Sequence, residues 1–518
     1  MAHHFARAED WEKAQHYLFE AGNQAVRIAA DTEALEHYRE AVVASERVGA
    51  RFDPIEHAVL DRKIGEALFR LGQHEQALTY LTSALHRLGI DYPETAHARA
   101  VAIASLFVRL ALGRGLELLR LRRVASQPPT RQLLACAETL ELVCMIDFYR
   151  DPMRFILGLL YGLTQLDSQP KLPGYTTLVS AFGLVLDMLG MYGAARRFHD
   201  RASEITQQLG DPYRTHHSRL FRGIHEYMTG DWDAADASLS AAVHGLRELG
   251  HLRLWATATS DLLNLRASRG DPRWLNIPPE QLKAAIETGD NQMLGWATLH
   301  VGCARLFLGD SKDAAGHLRR ACEIMEAIPD NQLLPAALSQ LALALVQLGR
   351  PQEALPLLVR SGEIRKRYSV RGFIATRPML AAAETCLLAL ERSDLSPVVR
   401  ANILKRARTA CSDAMRHGRR IGDHSEPDAL RLSGMLKWLL GSRASARRFW
   451  TRSCEVAERL GAQQVLAQTH YEIGRRFELR DHLQTAERLF LATGALAELT
   501  KTRRALAGLR LTSVPPRI

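Results

Sequence analysis

Aromatic residues make up only 7% of the 518 positions, and cysteine is rarer still. The seven cysteines, Cys136, Cys144, Cys303, Cys322, Cys386, Cys411 and Cys454, are scattered, odd in number and never in C-x-x-C spacing. That pattern excludes a zinc ribbon, a dithiol redox motif and a complete disulfide framework. It predicts small buried thiols in a reducing, cytoplasmic setting. Cys136 and Cys144 lie two turns apart on a predicted helix, about 11–12 Å of rise, which is too far for a disulfide. Long apolar runs are missing too. Residues 155–163 form one of the most apolar stretches, and it is far shorter than the ~20 residues of a membrane span. No segment alternates apolar and polar residues long enough to predict a strand. Residues 1–10 are polar, without the apolar core of a secretory leader, so a soluble cytoplasmic chain is expected.

The signatures of chemistry are absent as well. There is no G-x-x-x-x-G-K-[ST] phosphate loop and no H-E-x-x-H zinc helix. His216 and His217 are adjacent, but neighbours on a helix point about 100° apart and cannot easily share one ion. Two carboxylate pairs, Glu141 with Asp147 and Asp231 with Asp233, read as capping or solvating helix ends rather than as a catalytic dyad. No catalytic residue, metal site or cofactor is therefore expected.

What is present is leucine, alanine and regularity. Hydrophobic residues are 47% of the chain, and it is too long for one compact core. Gly65 is followed at offsets 7, 12, 16 and 19 by Gly72, Ala77, Leu81 and Ala84. The same offsets recur in Gly183, Gly190, Ala195, His199, Ala202 and in Gly223, Gly230, Ala235, Leu239, Ala242. They recur again in Gly302, Gly309, Ala314, Leu318, Ala321, in Ala342, Gly349, Ala354, Leu358, Ser361, and in Gly434, Gly441, Ala446, Trp450, Ser453. Gly474, Asp481, Ala486, Phe490 and Thr493 fit more loosely. Neighbouring copies such as Gly183 and Gly223, or Gly434 and Gly474, are 40 residues apart.

The template has a physical meaning. A small residue inside the first helix lets a facing helix approach, at about 1 kcal/mol of helix propensity for Gly against Ala. Glycine at offset 7 ends that helix. The small residue at offset 12 and the large one at offset 16 then lie on one face of the second helix. The result is an antiparallel hairpin, repeated. The pattern resembles the tetratricopeptide repeat, although 40 residues exceed that family's usual period of about 34. The predicted fold is all-α: a tetratricopeptide-like helical-hairpin solenoid wound as a right-handed superhelix.

Five stretches follow. Residues 1–90 hold the first repeats, and Ala14, Leu18 and Ala21 at offsets 12, 16 and 19 suggest a start inside a unit. Residues 91–172 are irregular, with helices expected over 96–112, 132–149 and 152–166 and a basic connector over 114–129. Residues 173–370 hold the best copies, with a degenerate unit at 252–288. Residues 371–426 form a long helical pair, and 427–518 hold two further repeats with a capping helix near 496–509.

The wording of some units resembles a particular setting. Residues 2–25, AHHFARAEDWEKAQHYLFEAGNQA, and 33–42, EALEHYREAV, are similar to the segment that follows the ATPase module in large bacterial signalling proteins. So are LGMYGAARRF at 189–198, TGDWDAADASL at 229–239, SCEVAERLGA at 453–462 and HYEIGR at 470–475. Those proteins join an adenylate/guanylate cyclase or Ser/Thr kinase domain to an AAA-type ATPase and a long helical-repeat tail. The resemblance spans nearly the whole chain but reaches none of the catalytic domains, so no nucleotide-binding residue carries over. It implies a non-catalytic regulatory arm that binds a protein partner, a peptide or helix in the solenoid groove, and gates an ATPase, cyclase or kinase module in cis or in trans. The alternatives are the sensor arm of an ATPase-type transcriptional regulator and, less favoured, a nucleic-acid-binding repeat protein.

The formal net charge of +10 bears on that last alternative. It is spread along the chain, which favours ordinary surface usage over a nucleic-acid footprint. Two basic clusters stand out. One contains Arg120, Arg122 and Arg123; the other contains Lys405, Arg406, Arg408, Arg416, Arg419 and Arg420, with Arg443, Arg447 and Arg448 nearby. Each is either a solvated helix face or a docking patch for an acidic partner. Neither has the interleaved aromatics that stack bases.

Overall fold

The computed structural model describes residues 2–27, 30–48, 53–118, 129–166, 169, 172–392, 395–421 and 423–512. Among them are 25 α-helices and no strand. In chain order these are α1 (Ala2–Arg7), α2 (Trp11–Arg27), α3 (Asp31–Val48), α4 (Pro54–Arg70), α5 (His74–Arg87), α6 (Ala96–Leu118), α7 (Arg131–Arg150), α8 (Pro152–Leu166), α9 (Pro173–Met188), α10 (Tyr192–Leu209), α11 (Pro212–Thr229), α12 (Trp232–Glu248), α13 (Leu252–Arg269), α14 (Pro279–Thr288), α15 (Asn291–Leu308), α16 (Ser311–Ala327), α17 (Leu334–Gln347), α18 (Pro351–Arg367), α19 (Gly372–Leu390), α20 (Pro397–Ile421), α21 (Glu426–Leu439), α22 (Arg443–Leu460), α23 (Gln463–Phe477), α24 (Arg480–Thr493) and α25 (Leu496–Thr512). Helix α6 runs to Leu118, so the basic connector expected from 114 starts inside a helix. Arg120, Arg122 and Arg123 lie outside the described residues.

The hairpins close as the template requires. Gly72, Gly190, Gly230, Gly309, Gly349 and Gly441 all have left-handed φ, between 72° and 91°. Each stops the first helix of its pair. The second helix then starts on a cap or a proline. Asp231 and Asp310 accept from the backbone N–H groups of Ala234 and Asp313, and Pro351 occupies the first turn of α18.

The small-against-large contact is equally direct. A Cβ on Gly302 would sit 2.7 Å from Leu318 Cγ; on Gly65, 2.6 Å from Leu81 Cγ; on Gly183, 2.7 Å from the His199 ring; on Gly434, 2.4 Å from Trp450 Nε1. Ala77, Ala195, Ala235, Ala314, Ala354, Ala446 and Ala486 are completely buried. Gly22 and Tyr38 make the same contact in α2 and α3.

The loosest copy departs from the template. Glu478, not Asp481, takes the left-handed turn, and Gly474 abuts Leu483 instead of Phe490. The α23–α24 turn comes earlier than the glycine spacing implies, because α24 already starts at Arg480. In the degenerate unit α13 is followed by a short 3₁₀ turn at Pro272–Leu275 and the brief α14. Residues from Ala256 to Ile473 share one cluster of buried side chains that runs without a break through successive hairpins.

The solenoid winds tightly enough for one turn to touch the next. The Asn331 backbone N–H donates to the Tyr149 carbonyl at 3.0 Å. Its side-chain Nδ2 donates to the Arg150 carbonyl at 3.3 Å, across 181 residues of sequence. A Cβ on Gly190 would lie 2.7 Å from the Arg420 carbonyl oxygen, and one on Gly309 the same distance from Ala497 Cβ. The inward helices of the coil therefore surround a narrow lumen.

Helix α19 corrects one expectation. It has 19 residues at a mean hydropathy of 1.4, long and apolar enough to cross a membrane. Here 56% of its most apolar 18-residue stretch is buried inside the solenoid. It carries Arg377 and Glu384 toward the lumen.

Candidate functional site

The lumen is a cavity of about 400 Å³, within the range of small-ligand sites. Its walls come mainly from the first helix of successive hairpins, α7, α9, α11, α13, α15, α17, α19, α21 and α23, with Phe155 added from α8. Helical periodicity selects what each helix shows. On α13 it is Arg253, Thr257, Ser260, Asp261, Asn264, Ala267 and Ser268, spaced by one or two turns. On α11 it is His217, Leu220, Phe221, Ile224 and Tyr227. Phe148, Tyr149, Phe221, Tyr227, Trp296 and Phe373 supply aromatic wall.

Most lumen charges are spoken for. Arg214 Nη1 donates to Glu141 at 2.6 Å, and the Thr177 hydroxyl donates to the same carboxylate at 3.1 Å. Arg253 pairs with Asp290 at 2.6 Å. Arg431 pairs with Glu384 at 3.2 Å and Asp428 at 3.3 Å, and these carboxylates raise its pKa against its burial. Trp296 Nε1 and Gln292 Nε2 both donate to Asp330 at 2.9 Å, which fixes the indole in the wall. The lumen-facing histidines are held neutral by burial: His217 falls to about 3 and His300 to about 4.

Two charges are different. Asp261 has no hydrogen-bond or ion-pair partner among the described residues, and burial alone pushes its carboxyl up to about 7. Arg377 is held only by neutral groups, Asn264 Oδ1 at 2.6 Å and Cys303 Sγ at 3.1 Å. Ser260 Oγ and Gln464 Oε1 border the same cavity without a hydrogen-bond partner.

A second, more open cleft of about 930 Å³ follows the seam between turns. Its charges are mutually satisfied: Arg154 with Asp147 at 3.1 Å, Arg99 with Asp151 at 2.8 Å and Arg150 with Glu75 at 3.1 Å. It is a structural seam.

One group of metal-ligand type exists among the described residues. Asp187, His199 and His225, all buried, place their donor atoms within 4.8 Å of one another. Both carboxylate oxygens are already used, by His199 Nε2 at 2.9 Å and His225 Nδ1 at 2.7 Å. His199 also fills the offset-16 packing position against Gly183. The trio could offer a carboxylate and two imidazoles to an ion, but as it stands it is a buried hydrogen-bonded layer joining α9, α10 and α11. No spacing rule links positions on three helices, so sequence reading missed it.

The sequence candidates fall into place unevenly. His216 and His217 point apart, one against Gly245 and one into the lumen. Glu141 and Asp147 do not cap or solvate a helix end. They are buried within α7 and paired with Arg214 and Arg154. Asp231 caps as expected, and Asp233 meets Arg269 at 2.8 Å on the surface. Cys136, Cys144, Cys303, Cys322, Cys386 and Cys411 are buried, and burial raises their thiol pKa values. Lys405, Arg406, Arg408, Arg416, Arg419 and Arg420 are all exposed on α20, outside the coil and away from the lumen. Arg416 alone among them has a described ion pair, to Asp413 at 3.2 Å.

The lumen charges escaped sequence reading because Asp261 and Arg377 lie where the glycine template is silent. The signal was there in another form. Asp261 is the single acid of α13, and Arg377 is one of only two charges on the Leu- and Ala-rich α19.

No protein-family model matches the sequence, and no curated protein matches it. Solved structures similar to the chain include a Rap protein complexed with competence and sporulation factor, 14% identical, covering 78% of this chain and 99% of that one, at a TM-score of 0.48. The yeast Tom70 is 14% identical over 97% of this chain and 98% of its own, at a TM-score of 0.29. A circular tandem repeat protein with novel repeat topology and enhanced subunit contact surfaces is 14% identical over 97% and 90%, at a TM-score of 0.15. At such scores the likeness assigns neither partner nor activity to this chain.

Proposed function

We propose that the chain is a non-catalytic binding arm that captures a protein segment in its lumen and passes the event on to a signalling module. The observation that carries this reading is the lumen itself: a cavity of about 400 Å³ walled by helices from many repeats. Occupancy of such a space meets helices from α7 to α23 at once. The size refines the expected occupant. An α-helix with side chains is about 10–12 Å across, so an extended segment or a chain end suits the lumen better than a helix.

Thr376 Oγ1, on the lumen wall, lies 3.0 Å from His417 Nε2, but burial holds that imidazole down at about 4, too weak a base to activate a hydroxyl, so binding without turnover is the expected behaviour. The resemblance to ATPase-coupled cyclase and kinase tails supplies the wider setting. There the solenoid serves as the sensor arm of a nucleotide-driven switch, supplied in cis or in trans. The exposed basic stripe on α20 is the docking face proposed for an acidic partner surface.

The test uses the full chain and an array of short unstructured peptides blocked at both ends, read by Trp fluorescence. Ala336, small and on the lumen wall, is replaced by Trp to fill the space. Saturable binding by the wild type, lost in A336W, with no product formed from peptide or nucleotide, is the expected result. Binding that A336W leaves unchanged places the occupant elsewhere, and turnover abolished by A336W overturns the non-catalytic reading. The intact mass of the native protein from its own host separates the settings. A mass near 57.8 kDa means a partner in trans; a much larger one means a module in cis.

A further inference from the structure

Charges inside a folded protein are normally compensated, because burying an uncompensated one is strongly unfavourable. In this lumen Arg253 and Arg431 obey the rule, with carboxylates at 2.6 and 3.2 Å. Asp261 on α13 and Arg377 on α19 do not. No ion pair joins them: Arg377 is held by Asn264, one turn along α13 from Asp261. Yet they border one cavity, and the Tyr227 phenol is near enough to feel both charges. An acid and a guanidinium thus face a shared apolar space from two walls, each lacking an ionic partner.

The pair is complementary to a molecule with the opposite charges at its two ends. An ammonium against Asp261 gains a charge-assisted hydrogen bond and the faces of nearby aromatic rings. Ser260 Oγ, unpartnered and next to Asp261 in the chain, can accept another of its protons. A carboxylate against Arg377 meets the planar donor fork of a guanidinium that Asn264 already orients.

We propose that the lumen binds a small zwitterion, its ammonium on Asp261, its carboxylate on Arg377 and its apolar body against Phe148, Tyr149, Tyr227 and Trp296. This is the chemistry shared by free apolar amino acids and short apolar peptides with free ends. The proposal rests on the lumen being the binding site and specifies what enters it.

The experiment is calorimetric titration of the full chain with L-leucine, L-phenylalanine and trileucine, each free, N-acetylated and C-amidated. Free forms are expected to bind, and either block is expected to weaken binding by about tenfold or more, the equivalent of one lost ionic contact. D261N is expected to erase the penalty of N-acetylation and keep that of amidation; R377Q does the reverse. These ratios do not depend on how much of a variant is folded, and helix content by circular dichroism checks that it is folded at all. Tighter binding of single amino acids assigns a free metabolite as the source; tighter trileucine assigns a peptide. Equal binding of blocked and free probes, uniform weakening of all probes in both variants, or binding of no free-ended probe overturns the proposal. Doubly blocked peptides that still bind and are lost in A336W leave the peptide-capture reading intact while the zwitterion falls.

Discussion

Replacing Asp261 by Asn should stabilise the empty protein, and the gain should depend on pH in a defined way. The fold holds the carboxyl at about 7 against an ordinary value of 3.8. The protonated form is therefore the one the fold prefers. That preference is fully present below the unfolded value and is lost as pH rises through the folded one. Between the two values the folded state keeps a proton the unfolded state has released, so stability falls by about 1.4 kcal/mol per pH unit. The whole interval amounts to about 4 kcal/mol. Part of the carboxylate faces the cavity rather than protein atoms, so about 2–4 kcal/mol is the working expectation. Asn removes the penalty without changing the shape. Tyr149 and Tyr227, the titratable neighbours that feel Asp261, are both pushed up by burial and stay neutral here, and His300 is neutral above about 4. The assay is thermal unfolding of both proteins across the interval. For a chain of this length, unfolding as one unit, the difference corresponds to a midpoint higher in D261N by about 2–4 °C above neutral pH, shrinking toward zero near the lower value. A difference that is flat across the interval, or a variant less stable at alkaline pH, refutes the argument that Asp261 is uncompensated.

His300 should act in the opposite direction: burial holds it at about 4, so stability falls as pH drops from about 6.5 to 4, by about 3 kcal/mol when complete. H300Q should shift acid unfolding to lower pH; an unchanged acid midpoint sinks the assignment. G434A gains about 1 kcal/mol of helix propensity, but its Cβ would meet Trp450 Nε1 at 2.4 Å and disturb the 3.0 Å bond of that indole to the Arg431 carbonyl. A net loss of about 1–3 kcal/mol is expected, read by chemical denaturation, and a stabilised variant contradicts the close-approach reading. N331A removes the side-chain bond to the Arg150 carbonyl across the seam; about 1 kcal/mol should be lost, with a larger radius of gyration by X-ray scattering. Unchanged dimensions mean the seam does not hold the coil closed.

Hairpins were readable in the sequence because they are local and repeated. Gly65 with Leu81, or Gly302 with Leu318, is a contact inside one unit, and each copy confirmed the others. Gly474 misled because its turn uses Glu478, a residue without the usual glycine mark. Glu141 and Asp147 were misread for a different reason. Glu141 gives no local sign that Arg214, 73 residues on, will reach it, and Asp147 meets Arg154 only because the chain turns back between α7 and α8. The lumen was beyond reach on the same ground. Which inward faces converge depends on the rise and rotation of every unit, and small per-repeat angles accumulate over the coil. Asp261 and Arg377 are 116 positions apart in a chain with no pattern joining them.

The seam where Asn331 meets Tyr149 and Arg150 changes what kind of object this is. A repeat protein whose units touch only their neighbours behaves as a row of dominoes: segments can melt or be cut away with the rest still standing. A coil whose turns touch is closer to a wound rope. Removing one unit of the row would not merely shorten it. Every later unit would be rotated against the wrong partner in the turn below, and glycines fitted to Arg420 or Ala497 would face strangers. Such a chain tolerates substitution within a unit far better than loss or gain of a unit, and the number of repeats becomes as much a part of its fold as their sequence.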